Sequence, residues 1–131
     1  MPDLRRRMER ILRDYGHNIY LQRRLTDETA RYENRYERHT VRNMIPSSVG
    51  LARAAQEVME GRIVDVDVVY YFQWDAKPLE GDRIHEGMAS SDPRGHLVFD
   101  IDYSYPHRGN GGRIEYWACG ATKTSEIGEE R

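Results

Sequence analysis

The most regular pattern along the chain is an alternation. Val64, Val66, Val68, Tyr70, Phe72 and Trp74 recur at every second position, which puts six large apolar or aromatic side chains on one face of a strand. Such a face must be buried. The next eight residues, Asp75 to Asp82, carry turn chemistry: Pro78 fixes its own φ, Gly81 tolerates a left-handed angle, and Asp82 can accept hydrogen bonds from backbone amides. The spacing predicts a β-hairpin over 63–84, with the chain reversing into Arg83 and Ile84.

Elsewhere the pattern changes period. Leu4, Met8, Ile11, Leu12 and Tyr15 lie at helical spacing, with Asp3 as a candidate N-cap and Gly16 as a stop, so residues 3–15 are predicted as a short amphipathic helix. Ile19, Leu21 and Leu25 then alternate with polar neighbours, as a half-exposed antiparallel strand over 18–25 would. From Thr26 to Glu37 no apolar stripe of either period is sustained; Tyr32 and Tyr36 stand among charges as loop residues tucked onto the body or as interface anchors. Residues 39–45 suit a strand, and Leu51, Ala54, Ala55 and Val58 suit one or two helical turns or an extended run. Residues 26–61 are therefore expected to be a long loop or assembly segment. Residues 86–95 are turn-rich. Leu97, Phe99, Ile101 and Tyr103 predict the buried face of another strand, 106–112 a turn, and 113–120 a last strand with Ile114, Tyr116 and Ala118 on one side and Glu115, Trp117 and Cys119 on the other.

These elements predict a single mainly β domain over 1–131. It comprises a small antiparallel β-barrel or sandwich with a short N-terminal helix, a β core over 62–120 and a flexible tail over 121–131. Length supports one modest core and no more, since 131 residues with 38% hydrophobic and 32% charged content leave little apolar material beyond the strands. No run approaches the roughly 18 apolar residues of a membrane span, so the expectation is a soluble chain, cytosolic when made, with no membrane partner. The single cysteine, Cys119, cannot form an intrachain disulfide and reads most simply as a buried thiol.

Charge sharpens the picture. Residues 1–24 hold seven arginines against Asp3, Glu9 and Asp14, which makes this end +4 and leaves −6 for the rest of a chain whose net charge is −2. A solvated helix face would explain this. The functional reading is contact with an acidic surface, on another subunit or on a phosphate backbone. The candidate interface residues are Arg5, Arg6, Arg10, Arg13, Tyr32 and Tyr36.

Catalytic and metal chemistry fit the sequence poorly. His96, Asp100 and Asp102, with Asp65, Asp67, His85 and His107, could supply ligands, yet alternate residues of one strand do not converge on an ion. No carboxylate pair shows the apolar surroundings that general acid work needs. The serines sit in turn-like contexts without a nucleophile elbow, and Gly109-Asn-Gly-Gly112 lacks the lysine of a phosphate loop. Tyr70, Tyr71, Phe72, Trp74, Tyr103, Tyr105, Tyr116 and Trp117 could stack bases on a barrel face, although core packing explains most of them. No enzyme activity and no cofactor are expected.

Four segments carry a family likeness. Tyr15-Gly-His-Asn-Ile-Tyr-Leu-Gln-Arg-Arg24 after a basic helix, Tyr70-Tyr-Phe72, Lys77-Pro-Leu-Glu-Gly-Asp-Arg-Ile84, and Gly112-Arg-Ile-Glu-Tyr-Trp117 resemble head-closure proteins of long-tailed bacteriophages, the small stopper or head-to-tail connector subunits. The resemblance implies a structural virion protein located in the neck, at the head-tail interface, and present in the host cytoplasm during assembly. It further implies a homo-oligomeric ring, a hexamer or dodecamer, below the portal and adaptor, which closes the channel over the packaged DNA and docks a tail terminator or tail tube protein. The channel loop is expected in 26–61 or, alternatively, in 86–95. The rival reading from the residues alone is a nucleic-acid-binding small β-barrel that uses the basic helix and exposed aromatics.

Overall fold

The computed structural model describes residues 4–25, 31–44, 66–88 and 95–124. Helix α1 (Leu4–Tyr15) leads into β1 (His17–Arg24), β2 (Tyr32–Met44), β3 (Val68–Gln73), β4 (Arg83–Glu86), β5 (Leu97–Arg108) and β6 (Ile114–Lys123). The six strands close into an antiparallel barrel in the order β1-β2-β3-β6-β5-β4, with β4 pairing back onto β1. The mainly β fold with one short helix is as expected, and closure takes the form of a barrel. Every strand thereby gains two neighbours and none is left as an edge.

Burial follows the pleat. Ile19 and Leu21 of β1, Val41 of β2, Val68, Tyr70 and Phe72 of β3, Ile84 of β4, Phe99 and Ile101 of β5, and Cys119 and Ala121 of β6 form the interior, with Leu97 and Trp117 packed against it. Each large side chain removed from water contributes roughly 1.5–3 kcal/mol. Cross-strand partners share a face, so a second, outward cluster of Val69 and Ala118 gathers Tyr71, Tyr103 and Tyr105.

Helix α1 packs against β2, β3 and β6. The β2–β3 ladder is short, running only from Met44↔Val69 to Arg42↔Tyr71, and the helix lies against the strands that flank this seam. Leu12 is fully buried there, whereas Ile11 and Tyr15 stay exposed. Gly16 ends the helix with a 2.9 Å bond from its amide to the Leu12 carbonyl. A Cβ at that position would stand 2.4 Å from the Leu12 carbonyl oxygen and 2.7 Å from that of Val41, so only glycine lets helix and barrel approach this closely.

Four expectations need correction. First, β3 and β4 are not a hairpin: β3 pairs with β2 and β6, β4 with β1 and β5, and residues 74–82 carry the chain between non-adjacent strands. Second, Tyr32–Met44 is a thirteen-residue strand, so 32–38 do not belong to a loop. Third, Asp102 is a bulge. The register passes from Ile101↔Ala121 to Tyr103↔Gly120, which turns Tyr103 outward and brings Ser104, opposite Cys119, to the inner face. Fourth, β3 begins at Val68, and Val66 packs with the outward cluster, not with Tyr70. The last two strands also run further than expected, through Pro106 to Arg108 and through Ala121 to Lys123. The expectations for 26–30 and 45–65, including the helical turns at 51–58 and Val64, and most of the 86–95 turn and the tail fall outside the described residues.

Candidate functional site

Residues 74–82 form a cap at the end of the barrel where β3 stops and β4 begins. Its geometry follows from its sequence: Lys77 has φ +49° and Gly81 φ +94°, and Asp82 accepts a 3.0 Å bond from the Leu79 amide and a 2.9 Å bond from the Arg24 amide. Gly81 and Asp82 exchange backbone bonds with Ile101, and the Trp117 indole donates to the Trp74 carbonyl at 2.9 Å. Ser104, turned inward by the bulge, donates to the Pro78 carbonyl at 2.6 Å.

Arg23 fastens this cap from beneath. Its Nε and Nη2 donate to the two Glu37 oxygens at 3.1 and 3.2 Å, its Nη1 to Asp82 at 3.1 Å and the Lys77 carbonyl at 2.7 Å, and its Nη2 to the Ala76 carbonyl at 2.7 Å. These five bonds use every N–H of the guanidinium. Burial alone would lower the Arg23 pKa, and the Glu37 and Asp82 carboxylates outweigh it and raise it. Partial burial pulls Glu37 upward, while hydrogen bonds from Arg23 and His39 win and hold its carboxyl below the ordinary value. β1, β2 and the cap are thus tied by one half-buried charge.

The opposite end is also closed by polar groups. Glu86 accepts from the Tyr70 hydroxyl, from Asn43 at 3.1 Å, and pairs with His17 at 2.6 Å. Burial, then the facing Glu86 carboxylate, raise the Tyr70 pKa. On the outer side of β1 and β4, His85 forms a relay: Nε2 lies 2.8 Å from Gln22 Oε1, and Nδ1 lies 3.0 Å from His96 Nε2. Gln22 donates its amide N–H to the Glu33 carbonyl, which leaves Oε1 to accept from His85 Nε2–H and makes His85 Nδ1 the acceptor for His96. Burial, with His96 and Arg83 adding to it, lowers the His85 pKa to about 4.

Two sides of the barrel carry exposed charge. On α1, five arginines against Glu9 and Asp14 give +3, and Arg6, Arg7, Arg10 and Arg13 are all exposed. Arg5 differs: its Nε donates to the Ile114 carbonyl at 2.8 Å and its guanidinium lies 3.9 Å from the centre of the Trp74 ring. Where the end of β1, the start of β2, the cap and β5 meet, an open groove of about 340 Å³ is lined by Arg24, Tyr32, Glu80, Gly81, Asp100, Ile101 and Asp102. Arg83 pairs there with Asp100 at 2.9 Å and stacks on Tyr32 at 4.4 Å. Burial raises the Tyr32 pKa against the pull of Arg83.

No family model, curated protein or solved structure matches the chain. The site therefore has to be argued from its own geometry.

The six candidate interface residues do not form one patch. Arg6, Arg10 and Arg13 share the exposed side of α1, Arg5 is turned onto the barrel, Tyr32 stands in the groove, and Tyr36, 42% exposed, meets His85 edge-on with ring centres 5.2 Å apart. The possible metal ligands are dispersed: His96 faces His85, Asp100 faces Arg83, Asp102 accepts from Thr122, Asp67 accepts from the Lys123 amide, and His107 stacks on Tyr116. Among the described residues no group of three or more His, Cys, Asp and Glu side chains could hold a metal ion. Cys119 is buried as expected, and its burial pushes the thiol up to about 12, which keeps it protonated at neutral pH. The aromatic set divides: Tyr70 and Phe72 fill the interior, while Tyr71, Tyr103, Tyr105 and Tyr116 point outward.

Sequence reasoning missed Arg23 and Glu37. In the sequence Arg23 is one of seven arginines of the basic end and Glu37 one more charge in a polar stretch, and neither carries a local signal of its partner.

Proposed function

We propose that this chain is a non-enzymatic structural subunit of the neck of a long-tailed phage particle, a head-to-tail connector or stopper. It assembles as a ring below the portal and adaptor, closes the channel over packaged DNA and docks the tail terminator or tail tube protein. The observation that carries this reading is where the four resembling segments fall. Tyr15 to Arg24 is the helix end and β1, Tyr70 to Phe72 is the core of β3, Lys77 to Ile84 is the cap with the start of β4, and Gly112 to Trp117 opens β6. Four stretches scattered through the sequence come together in one barrel and its cap. A cap held to two strands by Arg23 makes a stiff body, which suits a subunit that must keep its shape under load from confined DNA.

The test is cryo-electron microscopy of assembled particles together with mass spectrometry of their protein content. The reading expects a ring of this chain between head and tail. Particles that join tails and retain DNA without this chain would reject it. One observation favours a second reading: the exposed row Arg6, Arg10 and Arg13, at helical spacing, suits phosphate contacts. That reading expects DNA or RNA affinity that falls steeply with salt and loses several units of salt slope when the α1 arginines are neutralised.

A further inference from the structure

We infer that the arginine face of α1 docks into the Glu80–Asp100–Asp102 groove of a second copy of this chain, so that copies associate head to tail. The inference deepens the ring reading above by naming the two surfaces that meet. Three features lead to it.

The first is placement. α1 covers β2, β3 and β6, whereas the groove is built by the end of β1, the start of β2, the cap and β5, around β4. In the barrel order these surfaces lie on different sides of the molecule. Two unlike patches on different sides make a heterologous contact, which repeats from copy to copy and closes into a ring when the rotation allows. Two-fold pairing would instead require one patch to match itself.

The second is charge. The helix carries +3 with Arg6, Arg10 and Arg13 in one exposed row, and the rest of the chain carries the balance of a −2 total, which is −5. The groove is lined by Glu80, Asp100 and Asp102 against one cation, Arg24, and Arg83 stands beside it. Arg83 is engaged by Asp100, so Glu80 and Asp102 supply the negative side that an incoming cation meets.

The third is chemistry. Two of the lining residues already hold one guanidinium: Arg83, beside the groove, lies against the Tyr32 ring at 4.4 Å and against Asp100 at 2.9 Å. An aromatic face beside a carboxylate is how proteins hold arginine in preference to lysine. A groove of about 340 Å³ has room for further arginine side chains arriving from a neighbour. The contact gains on-rate and specificity from charge more than it gains affinity, so it is salt-sensitive.

A charge swap tests this on the full chain. One variant carries Glu80→Lys with Asp102→Lys, the other Arg6→Glu with Arg10→Glu. Wild type, each variant and their equimolar mixture are followed by sedimentation velocity and native mass spectrometry at about 20 mM and about 300 mM salt. Wild type is expected to associate at the lower salt and to dissociate at the higher. Each variant alone is expected to stay monomeric, because like charges then face one another. The mixture is expected to associate again in alternating composition, since a basic groove meets an acidic helix and a basic helix meets an acidic groove.

Wild type that remains monomeric at the lower salt overturns the inference, as does either variant associating as well as wild type, or a mixture no better than its parts. If Asp102→Lys disturbs the bond to Thr122 and the melt shifts, Glu80→Lys with Asp102→Asn replaces it. Added DNA is a further arm. Wild type that binds a DNA duplex but not itself overturns the inference in favour of a nucleic-acid face. The ring reading has a separate readout in the particle. A neck ring built from copies whose charge-swapped variants associate normally would leave that function standing and remove only this pair of surfaces.

Discussion

Arg23 ties the cap to two strands through one side chain. Its guanidinium meets five acceptor atoms on two segments, Glu37 on β2 and Ala76, Lys77 and Asp82 in the cap, from its own place on β1. A planar fork with five donors can satisfy all of them, and a lysine ammonium with three cannot. Arg23→Lys is therefore expected to cost about 1 to 3 kcal/mol, because it keeps the charge and strands part-buried acceptors. Arg23→Ala also removes the cation held between Glu37 and the buried Asp82, leaving Glu37 with His39 and Arg35 and Asp82 with only the Leu79 and Arg24 amides, and should cost about 3 to 5 kcal/mol. Urea unfolding followed by the fluorescence of Trp74 and Trp117, whose positions are set by the cap, measures both. A lysine variant within about 0.5 kcal/mol of the parent would show that the cap is held by other contacts.

At the level of elements, the bulge at Asp102 decides what faces outward. Upstream of it Leu97, Phe99 and Ile101 point inward, and downstream Ser104 does, leaving Tyr103 and Tyr105 stacked on the outer side with ring centres 6.3 Å apart. Deleting Asp102 places Tyr103 directly after Ile101, so the ladder runs evenly from Ile101↔Ala121 to Tyr103↔Gly120 with Tyr103 still outward and Ser104 still inward against the Pro78 carbonyl; only the bulge and the bond from Thr122 are lost. The deletion variant is therefore expected to keep its cooperative melt, and a non-cooperative melt would show that the bulge itself is needed for the barrel to close. Asp102→Gly keeps the extra residue and should stay within about 1 to 2 kcal/mol of the parent by thermal unfolding. Such a bulge has no signature in an alternation of Asp100, Asp102 and their neighbours, which is why the sequence alone put Tyr103 inside. β2 was hidden for another reason. Its inward positions Glu37 and His39 serve Arg23 and not the apolar core, so the period-two signal fails where the polar cap network begins. The turn at 75–82 was legible as a turn because Pro78, Gly81 and Asp82 are local signals. Its destination was not, since β4 pairs with β1 and β5 through contacts that no short window contains. The helix and its arginine row were legible because helical spacing and charge are local, whereas the acidic groove joins residues from four separate segments.

Across the whole molecule, the buried titrating groups limit stability from both sides of neutrality. His85 is neutral in its relay and has its pKa lowered to about 4 from an ordinary 6.5, so the unfolded chain binds more protons than the folded one between these values. Stability is full above about pH 6.5 and falls as pH drops towards 4, by on the order of 1 to 3 kcal/mol. Glu37, held below its ordinary value of 4.5, adds a second loss that begins as pH falls through that value. On the alkaline side the sign reverses in origin. Cys119, ordinarily near 9, is pushed up to about 12 by burial, and the buried Tyr70 and the half-buried Tyr71 and Tyr116 are raised above 10, so the folded state retains protons that the unfolded chain releases. Stability therefore falls as pH rises past about 9. The expected profile is a plateau from about pH 6.5 to 9 with a decline on each side, mapped by urea midpoints at constant ionic strength. His85→Gln, which keeps a donor towards Gln22 and cannot take up the proton, should flatten the limb between pH 6.5 and 4 and leave the loss below 4.5 in place. Cys119→Ser should shift the start of the alkaline limb from the thiol's ordinary value towards that of the tyrosines. A profile that still declines between pH 6.5 and 4.5 in the His85→Gln protein would assign that limb to a different group and show that the relay from Gln22 through His85 to His96 does not govern it.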